Sequence, residues 1–129
     1  MDFLPIFIDI KNKHCVVIGG GEVAVRKISL LLRAGASVTV IAPEFAPTLE
    51  QMRQDGEITA FNRQYSNEDL DHCVLAVAAT DDMTINRAVS EQAKALHIPV
   101  NVVDQPELCS FIVPSIIDRS PVVAAVSTG

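Results

Sequence analysis

The chain has no tryptophan, one tyrosine and five phenylalanines, so aromatic residues make up 5% of its 129 positions. A protein that stacks single-stranded bases on aromatic side chains is therefore not expected. Basic residues are also scarce, since ten Lys and Arg against sixteen Asp and Glu leave a net charge of -6. Without a basic stripe to neutralise phosphates, the composition argues against a nucleic-acid-binding protein.

Cysteine is rare as well, with Cys15, Cys73 and Cys109 at wide spacings and no Cys-x-x-Cys pair. Neither a zinc knuckle nor a disulfide framework is indicated, and reduced thiols are expected. No apolar run is as long as a membrane span, and residues 1–9 lack the basic leader of a signal peptide. The sequence therefore predicts a cytoplasmic protein with no membrane partner and no resident metal site.

Hydrophobic residues make up 49% of the chain, which is too many for a disordered protein and enough for the core of one domain. Apolar runs that are typical of buried strands alternate with helical patterns. The predicted strands are residues 14–18, 37–41, 57–61, 73–79 and 99–103. This alternation predicts an α/β fold with a doubly wound parallel sheet in the order 3-2-1-4-5.

Three helices are predicted between these strands. The first begins at Glu22 and stops at Gly35, and the second follows Pro47 and ends at Gly56. The third follows Thr80-Asp81-Asp82, which is typical of a helix cap. Its expected buried stripe consists of Ile85, Ala88, Val89, Ala93 and Leu96.

The motif Gly19-x-Gly21-x-x-Ala24 lies between the first strand and the first helix. Gly19 permits a tight turn, Gly21 lets the backbone approach a pyrophosphate, and Ala24 allows close helix–strand packing. In this context the motif predicts dinucleotide binding in a Rossmann-like domain, the alternative being a purely structural turn. Glu22-Val23 stand where a P-loop needs Gly-Lys-Ser/Thr, so a P-loop is excluded.

The second strand ends in Ile41-Ala42-Pro43-Glu44. An acid that binds the ribose hydroxyls is expected at this point, and Glu44 comes slightly late for that role. The backbone of Pro43 and Glu44 can serve instead, and Glu44 is equally typical of a solvated loop acid. No Arg or Lys stands there for a 2′-phosphate, which favours NAD over NADP.

Ligands of an open parallel sheet bind outside the carboxyl ends of its strands. The glycine loop, Pro43, Thr80 and Asp104 follow strand ends and share that edge. The three histidines, His14, His72 and His97, fall on the opposite edge, so they are not expected to be catalytic.

Asp104 ends the fifth strand, at the edge where a nicotinamide would lie. Its carboxylate there could accept a proton or meet a metal ion that enters a bound ligand. The alternative is an Asp that starts a turn before Gln105-Pro106. Thr80, Asp81 and Asp82 are expected to cap a helix rather than to act in catalysis.

The pattern changes after Asp104. Residues 111–113 and 122–126 are strand-like, and a turn is expected at residues 117–121. Because the chain stops soon after an apolar strand, we expect it to be a piece of a longer protein. The last strands would then pair with a missing part or with a second copy.

Several motifs, taken together and in order, resemble the siroheme synthase family. They are Phe3-Leu-Pro-Ile-Phe, Val17-Ile-Gly-Gly-Gly-Glu-Val-Ala, Arg26-Lys27, Ala78-Ala-Thr-Asp-Asp, Asn101-Val-Val-Asp, Ser110-Phe-Ile-Val-Pro-Ser and Asp118-Arg-Ser-Pro. The resemblance covers essentially the whole chain. It is to the N-terminal precorrin-2 dehydrogenase and sirohydrochlorin ferrochelatase module of that family.

This resemblance implies oxidation of precorrin-2 to sirohydrochlorin with NAD as hydride acceptor, followed by insertion of Fe2+ as a substrate to give siroheme. It implies that Asp104 serves both steps. It places cofactor contacts at Glu22, Val23, Pro43 and Glu44. We also expect Thr80 to contact the cofactor, because it follows a strand end at the same edge of the sheet.

The tetrapyrrole substrate is expected to contact Asn101, Arg119, Ser127 and Thr128. The family commonly has two serines where this chain has Ser127-Thr128, and Arg119 is equally typical of an exposed turn residue. The resemblance further implies a homodimer in the full-length protein. Residues 1–110 would form the NAD-binding domain and residues 111–129 the start of a β-rich dimerisation segment.

Two other functions stay open on the sequence. A non-enzymatic NAD-sensing module would be favoured by a strong ribose-binding acid at the end of the second strand, and that acid is missing. A dehydrogenase for a small metabolite would carry a catalytic His, Lys or Tyr at the carboxyl edge, where the sequence predicts none.

Overall fold

A five-stranded parallel sheet in the order β3-β2-β1-β4-β5 forms the centre of the computed structural model, which describes residues 1–128. Its strands are β1 His14–Ile18, β2 Ser37–Ala42, β3 Thr59–Asn62, β4 Leu75–Ala78 and β5 Val100–Val102. The predicted doubly wound sheet and its strand order are confirmed. The first strand has the predicted bounds, β2 and β3 end one residue later than predicted, β3 begins two residues later, and β4 and β5 are shorter at both ends.

The register of the sheet brings the central strands to an end at one level. Ile18 at the end of β1 pairs with Ile41 of β2 and with Ala78 of β4. Because all strands are parallel, the loops that follow them gather along the same edge.

Helices cover both faces of the sheet and bury two apolar clusters. They are α1 Glu22–Arg33, α2 Pro47–Gln54 and α3 Met83–Ala95. On one face Val17 and Val40 of the sheet pack with Ile28 of α1 and Leu49 of α2. On the other face Val16 packs in a cluster with α3 and with two short 3-10 turns, Asn67–Leu70 and Pro106–Leu108. Alternate residues of β1 thus feed opposite layers, as the period of a strand requires.

The buried side of α3 differs from the predicted stripe. Val89 and Ala93 are buried as expected, but Leu96 is 40% exposed, and polar Asn86 and Ser90 are buried instead. The Ser90 hydroxyl donates to the Leu108 carbonyl at 2.6 Å. A polar group can be buried where it makes a hydrogen bond. Hydrophobic periodicity does not show hydrogen-bond partners, so it could not predict that Asn86 and Ser90 are buried.

A separate antiparallel hairpin follows the sheet. It pairs β6 Ser115–Arg119 with β7 Val122–Val126. The prediction of a strand at 111–113 and of a turn at 117–121 was wrong. Phe111 packs partly buried against the core, and Ile117 pairs with Ala124 inside the hairpin, so the turn is only Ser120-Pro121. The proposed domain boundary after residue 110 stays a prediction.

Within residues 1–128, no helix is long and apolar enough to cross a membrane.

Removing the Ser90 hydroxyl tests the buried contact between α3 and the second 3-10 turn. We expect Ser90→Ala to lower the free energy of unfolding by about 1–3 kcal/mol, because the Leu108 carbonyl loses its buried partner. Chemical denaturation measures this change. Ser29→Ala on the exposed side of α1 is the matched control, with an expected change within about 0.5 kcal/mol. Equal effects of the two substitutions would contradict the interpretation.

Candidate cofactor site

The loops after β1, β2, β4 and β5 surround a cavity of about 890 Å³ at the carboxyl edge of the sheet. The structure brings together at its wall most of the residues that the sequence singled out for the cofactor and for catalysis. These are Gly19, Gly21, Glu22, Val23, Pro43, Glu44, Thr80 and Asp104. Ala24 is fully buried under the loop, where it packs in the core.

The middle glycine of the run makes the closest approach in the site. A Cβ atom on Gly20 would overlap the Glu44 carbonyl oxygen and lie 2.9 Å from the Ala42 Cβ atom. The Gly20 carbonyl also accepts a hydrogen bond from the Ala46 N–H at 2.7 Å. Gly20 therefore joins the loops after β1 and β2. Sequence reasoning overlooked it because the dinucleotide motif assigns roles only to the first and third glycines.

Gly21 has the opposite environment. A Cβ atom there would meet no atom within 4 Å among the described residues, and its φ of -94° suits any residue. Gly21 is the N-cap residue of α1, and no described side chain caps this helix end. The free space thus lies beside backbone N–H groups that favour an anion. An open cradle of this kind fits a pyrophosphate group.

Thr80 is fixed at the cavity wall by a residue of α3. The Asn86 side chain donates to the Thr80 carbonyl at 3.0 Å and accepts from the Thr80 hydroxyl at 2.6 Å. Asp82 accepts hydrogen bonds from the Thr84 and Ile85 N–H groups at 2.9 and 3.3 Å. The predicted capping role of this segment is therefore confirmed for Asp82. Asn86 was missed because a polar residue on a helix is normally assigned to the exposed face.

Asp104 lines the cavity from a tight turn, in which the Gln105 N–H donates to the Val102 carbonyl at 3.2 Å. Its φ of +62° lies in the left-handed region, which disfavours most side chains but is tolerated by Asp and Asn. The Cys109 thiol accepts a hydrogen bond from the Val102 N–H at 3.1 Å. Its Sγ atom also lies 3.4 Å from the Gln105 carbonyl oxygen, so it contacts both ends of the turn.

The predicted substrate residues lie outside the described lining of the cavity. Asn101 is buried and donates to the Phe111 carbonyl at 3.2 Å, while its Oδ1 atom has no partner among the described residues. Arg119 is exposed on β6 and donates to the Asp118 carbonyl at 3.2 Å. Ser127 and Thr128 are exposed after β7. The substrate roles of all four stay predictions.

The histidines also lie outside that lining. His14 begins β1, and its Nε2 atom is 2.9 Å from the Thr39 hydroxyl. His72 and His97 precede β4 and β5, at the amino edge of the sheet.

The charge of the cavity wall is of one sign. Five carboxylates and no Lys, Arg or His are among the described residues that line it. The acids are Glu22, Glu44, Asp81, Asp82 and Asp104. No group of three His, Cys, Asp or Glu in residues 1–128 could hold a metal ion.

Tyr65 also lines the cavity, and its hydroxyl group donates a hydrogen bond to the Asn67 side chain at 2.9 Å. Burial, with the negative charge of Asp69 added, raises the pKa of Tyr65 to about 12. The hydroxyl group therefore stays protonated at neutral pH and acts as a donor. The expectation that no Tyr lies at the carboxyl edge was wrong, because the segment after β3 brings Tyr65 to this wall.

Comparisons with known proteins agree with this geometry. A family model described as "Putative NAD(P)-binding" matches residues 6–115. Siroheme synthase from Methylobacillus flagellatus is 56% identical over 129 residues, covering 100% of this chain and 28% of that protein. Siroheme synthase from Nitrosospira multiformis is 55% identical over 133 residues, with the same two coverages.

A solved structure named "SirC, precorrin-2 dehydrogenase" superimposes with a TM-score of 0.82 at 26% identity, covering 98% of this chain and 62% of that one. This chain thus spans 28% of the length of the two siroheme synthases. On the family match and on these relatives, the chain belongs to the NAD(P)-binding family, and it is similar along its whole length to part of siroheme synthase.

Proposed function

We propose that this chain binds NAD in the cavity and is the part of a longer siroheme synthase that oxidises precorrin-2 to sirohydrochlorin. The observation that carries the proposal is the open cradle at Gly21 on the same cavity wall as the carboxylate of Asp104. The similarity to a precorrin-2 dehydrogenase over 98% of the chain supports the choice of substrate.

The residues present fit a dinucleotide. The pyrophosphate would lie over Gly21 and the first N–H groups of α1, at Glu22 and Val23. The ribose of the adenosine half would lie at the end of β2, against Pro43 and Glu44, while Thr80 faces the same cavity from the end of β4. Gly20 keeps these walls together through its contacts with the loop after β2.

When bound, NAD supplies the hydride acceptor. Oxidation of the tetrapyrrole also releases a proton, for which the chain must provide an acceptor. Asp104 is the acid that the fold places at the end of β5, on the side of the cavity opposite the β2 wall. We assign it the role of proton acceptor, which its carboxylate can fill at neutral pH.

We extend the same role to the insertion of Fe2+ as a substrate in the longer protein. This step removes two pyrrole protons, and a carboxylate at the site of oxidation suffices to accept them in turn. The tetrapyrrole is the proposed small-molecule partner for both steps. A cytoplasmic location is proposed from the three cysteines, which are free thiols.

We also propose that the full-length protein is a homodimer. Every residue of β6 and β7 is exposed, including the apolar side chains of Ile116, Ile117, Val122, Val123 and Val126. An isolated two-stranded hairpin is only marginally stable in water, so a covering surface is needed.

Replacing Gly21 tests the cofactor site. We expect Gly21→Val to weaken NAD binding about tenfold or more without unfolding the chain, because the side chain would fill free space beside the N-terminus of α1. Titration calorimetry on the folded variant measures the affinity. Gly20→Ala is the contrasting change: it should lower the free energy of unfolding by about 1–3 kcal/mol, because its Cβ overlaps backbone. Unchanged NAD affinity in Gly21→Val would refute the assigned site.

Asp104→Asn tests the proton acceptor. Asn adopts the left-handed backbone conformation as readily as Asp, so the fold and NAD affinity should be retained. Oxidation of precorrin-2 by the full-length variant, assayed anaerobically, should fall about a hundredfold or more. Near wild-type rates in both reactions would reduce Asp104 to a turn residue. Loss of one reaction alone would separate oxidation from Fe2+ insertion and disprove the shared carboxylate.

Light scattering tests the homodimer. The full-length protein should have the mass of two chains at micromolar concentration, and Ile117→Lys, at a position that faces Ala124 across the hairpin, should shift it towards the monomer, since a charge would enter the apolar contact. A monodisperse wild-type monomer under these conditions would refute the proposal.

A further inference from the structure

Arg63 lies directly beside the part of the cavity wall that the adenosine ribose is expected to occupy. It follows β3, and its backbone N–H donates to the carbonyl of Ala42, the last residue of β2, at 3.1 Å. The next two residues, Gln64 and Tyr65, line the cavity. Arg63 is therefore a basic residue that directly precedes the cavity wall in the sequence, and the described residues of that wall include no Lys, Arg or His.

NADP differs from NAD by a phosphate on this ribose. A phosphate monoester carries a charge of about -1.5 to -2 at neutral pH and binds best to a guanidinium group. With five carboxylates in the wall, the choice between the two cofactors depends on whether a cation is offered to the 2′-position. Arg63 is the one basic residue that is adjacent in sequence to a described residue of the wall.

The guanidinium group of Arg63 is instead held by Asp69. Its Nη1 atom donates to Asp69 Oδ2 at 2.9 Å, and its Nη2 atom donates to Asp69 Oδ1 at 2.5 Å. Nη1 also donates to the Gln64 carbonyl at 3.1 Å, and the group lies 5.5 Å from the centre of the Phe61 ring. These contacts use both terminal nitrogens in a fork that resists rearrangement.

Asp69 is itself fixed in place. Its Oδ2 atom accepts a hydrogen bond from the Ser66 N–H at 2.8 Å, which closes the 3-10 turn ending at the fully buried Leu70. The Asp69 side chain is 7% exposed, against 47% for Arg63. Burial by itself raises the pKa of Asp69, but the hydrogen bonds from Arg63 and Ser66 and the charge of Arg63 outweigh it and lower the pKa. Asp69 is therefore an ionised, immobile partner at neutral pH.

We propose that Asp69 makes this site select NAD over NADP, because it holds the Arg63 guanidinium in an internal ion pair and away from a 2′-phosphate. The inference rests on the proposed binding of NAD in this cavity. The loop after β2 does not by itself impose such a selection, since Glu44 is exposed there.

The test compares the affinities of NAD+ and NADP+ for the full-length protein by titration calorimetry. Asp69→Asn keeps an acceptor for the Ser66 N–H but removes the charge that holds Arg63, and Asp69→Ala removes both. In each variant we expect the affinity for NADP+ to rise about tenfold or more relative to NAD+. The gain should shrink as salt is added, because the new contact is ionic.

Two controls separate the released guanidinium from a general change in charge. Asp71→Asn removes an acid that lies close by in the sequence and is exposed, and it should leave the ratio of the two affinities unchanged. The double variant Arg63→Ala/Asp69→Asn should return NADP+ binding to the wild-type level. Circular dichroism establishes that each variant is folded.

An unchanged ratio in both folded Asp69 variants would overturn the inference while leaving NAD binding intact. A gain that persists without Arg63, or that Asp71→Asn reproduces, would also overturn it. A wild-type protein that binds neither dinucleotide would instead overturn the proposed function, and the inference with it.

Discussion

The contact between Gly20 and the Glu44 carbonyl is the one on which the cofactor site depends. The loop after β1 is held against the loop after β2 by the hydrogen bond from the Ala46 N–H to the Gly20 carbonyl, and the close approach leaves no room for a Cβ atom on Gly20. The parallel register supplies the other half of the arrangement, because Ile18, the last residue of β1, pairs with Ile41 one residue before the end of β2. With both in place, the N-terminus of α1 opens onto a cavity rather than onto the neighbouring loop.

The same edge of the sheet carries an unusual balance of charge. The acids of the wall do not favour an anionic ligand, so the attraction for phosphate must come from backbone N–H groups at the start of α1. Such groups are fixed by the helix and lose no side-chain freedom on binding. The cavity can therefore hold a pyrophosphate with its backbone while its carboxylates remain available to a reacting substrate.

The sequence predicted the sheet and the site wherever the signal was local. Apolar runs that alternate with helical patterns predict the strand order, and the glycine motif predicts the loop after β1. Neither prediction needs knowledge of a tertiary contact. Asn86 and Ser90 were missed because their burial is explained by hydrogen bonds to loop residues, Thr80 six positions before Asn86 and Leu108 eighteen positions after Ser90, which a helical pattern does not show. The ion pair between Arg63 and Asp69 was not predicted either, because two opposite charges six residues apart in a loop are typical of a solvated surface.

The hairpin shows a different limit of sequence reasoning. Both Phe111 and Ile117 are apolar, and a pattern of hydrophobicity treats them alike. In the structure Phe111 is anchored partly in the core, whereas Ile117 is half exposed on β6. Which of two apolar segments becomes the strand is decided by where the core ends, and this is a property of the whole fold.

The pairing of Asn86 with Thr80 couples a wall of the cavity to the first turns of a helix. Both hydrogen-bonding groups of the Asn86 amide are directed to Thr80, so the loop cannot move outward unless α3 loses that partner or frays with it. Local opening of a helix end ordinarily requires little free energy. A ligand that immobilises Thr80 would therefore also suppress fraying at the start of α3, and amide hydrogen exchange in that helix would report occupancy of the cavity.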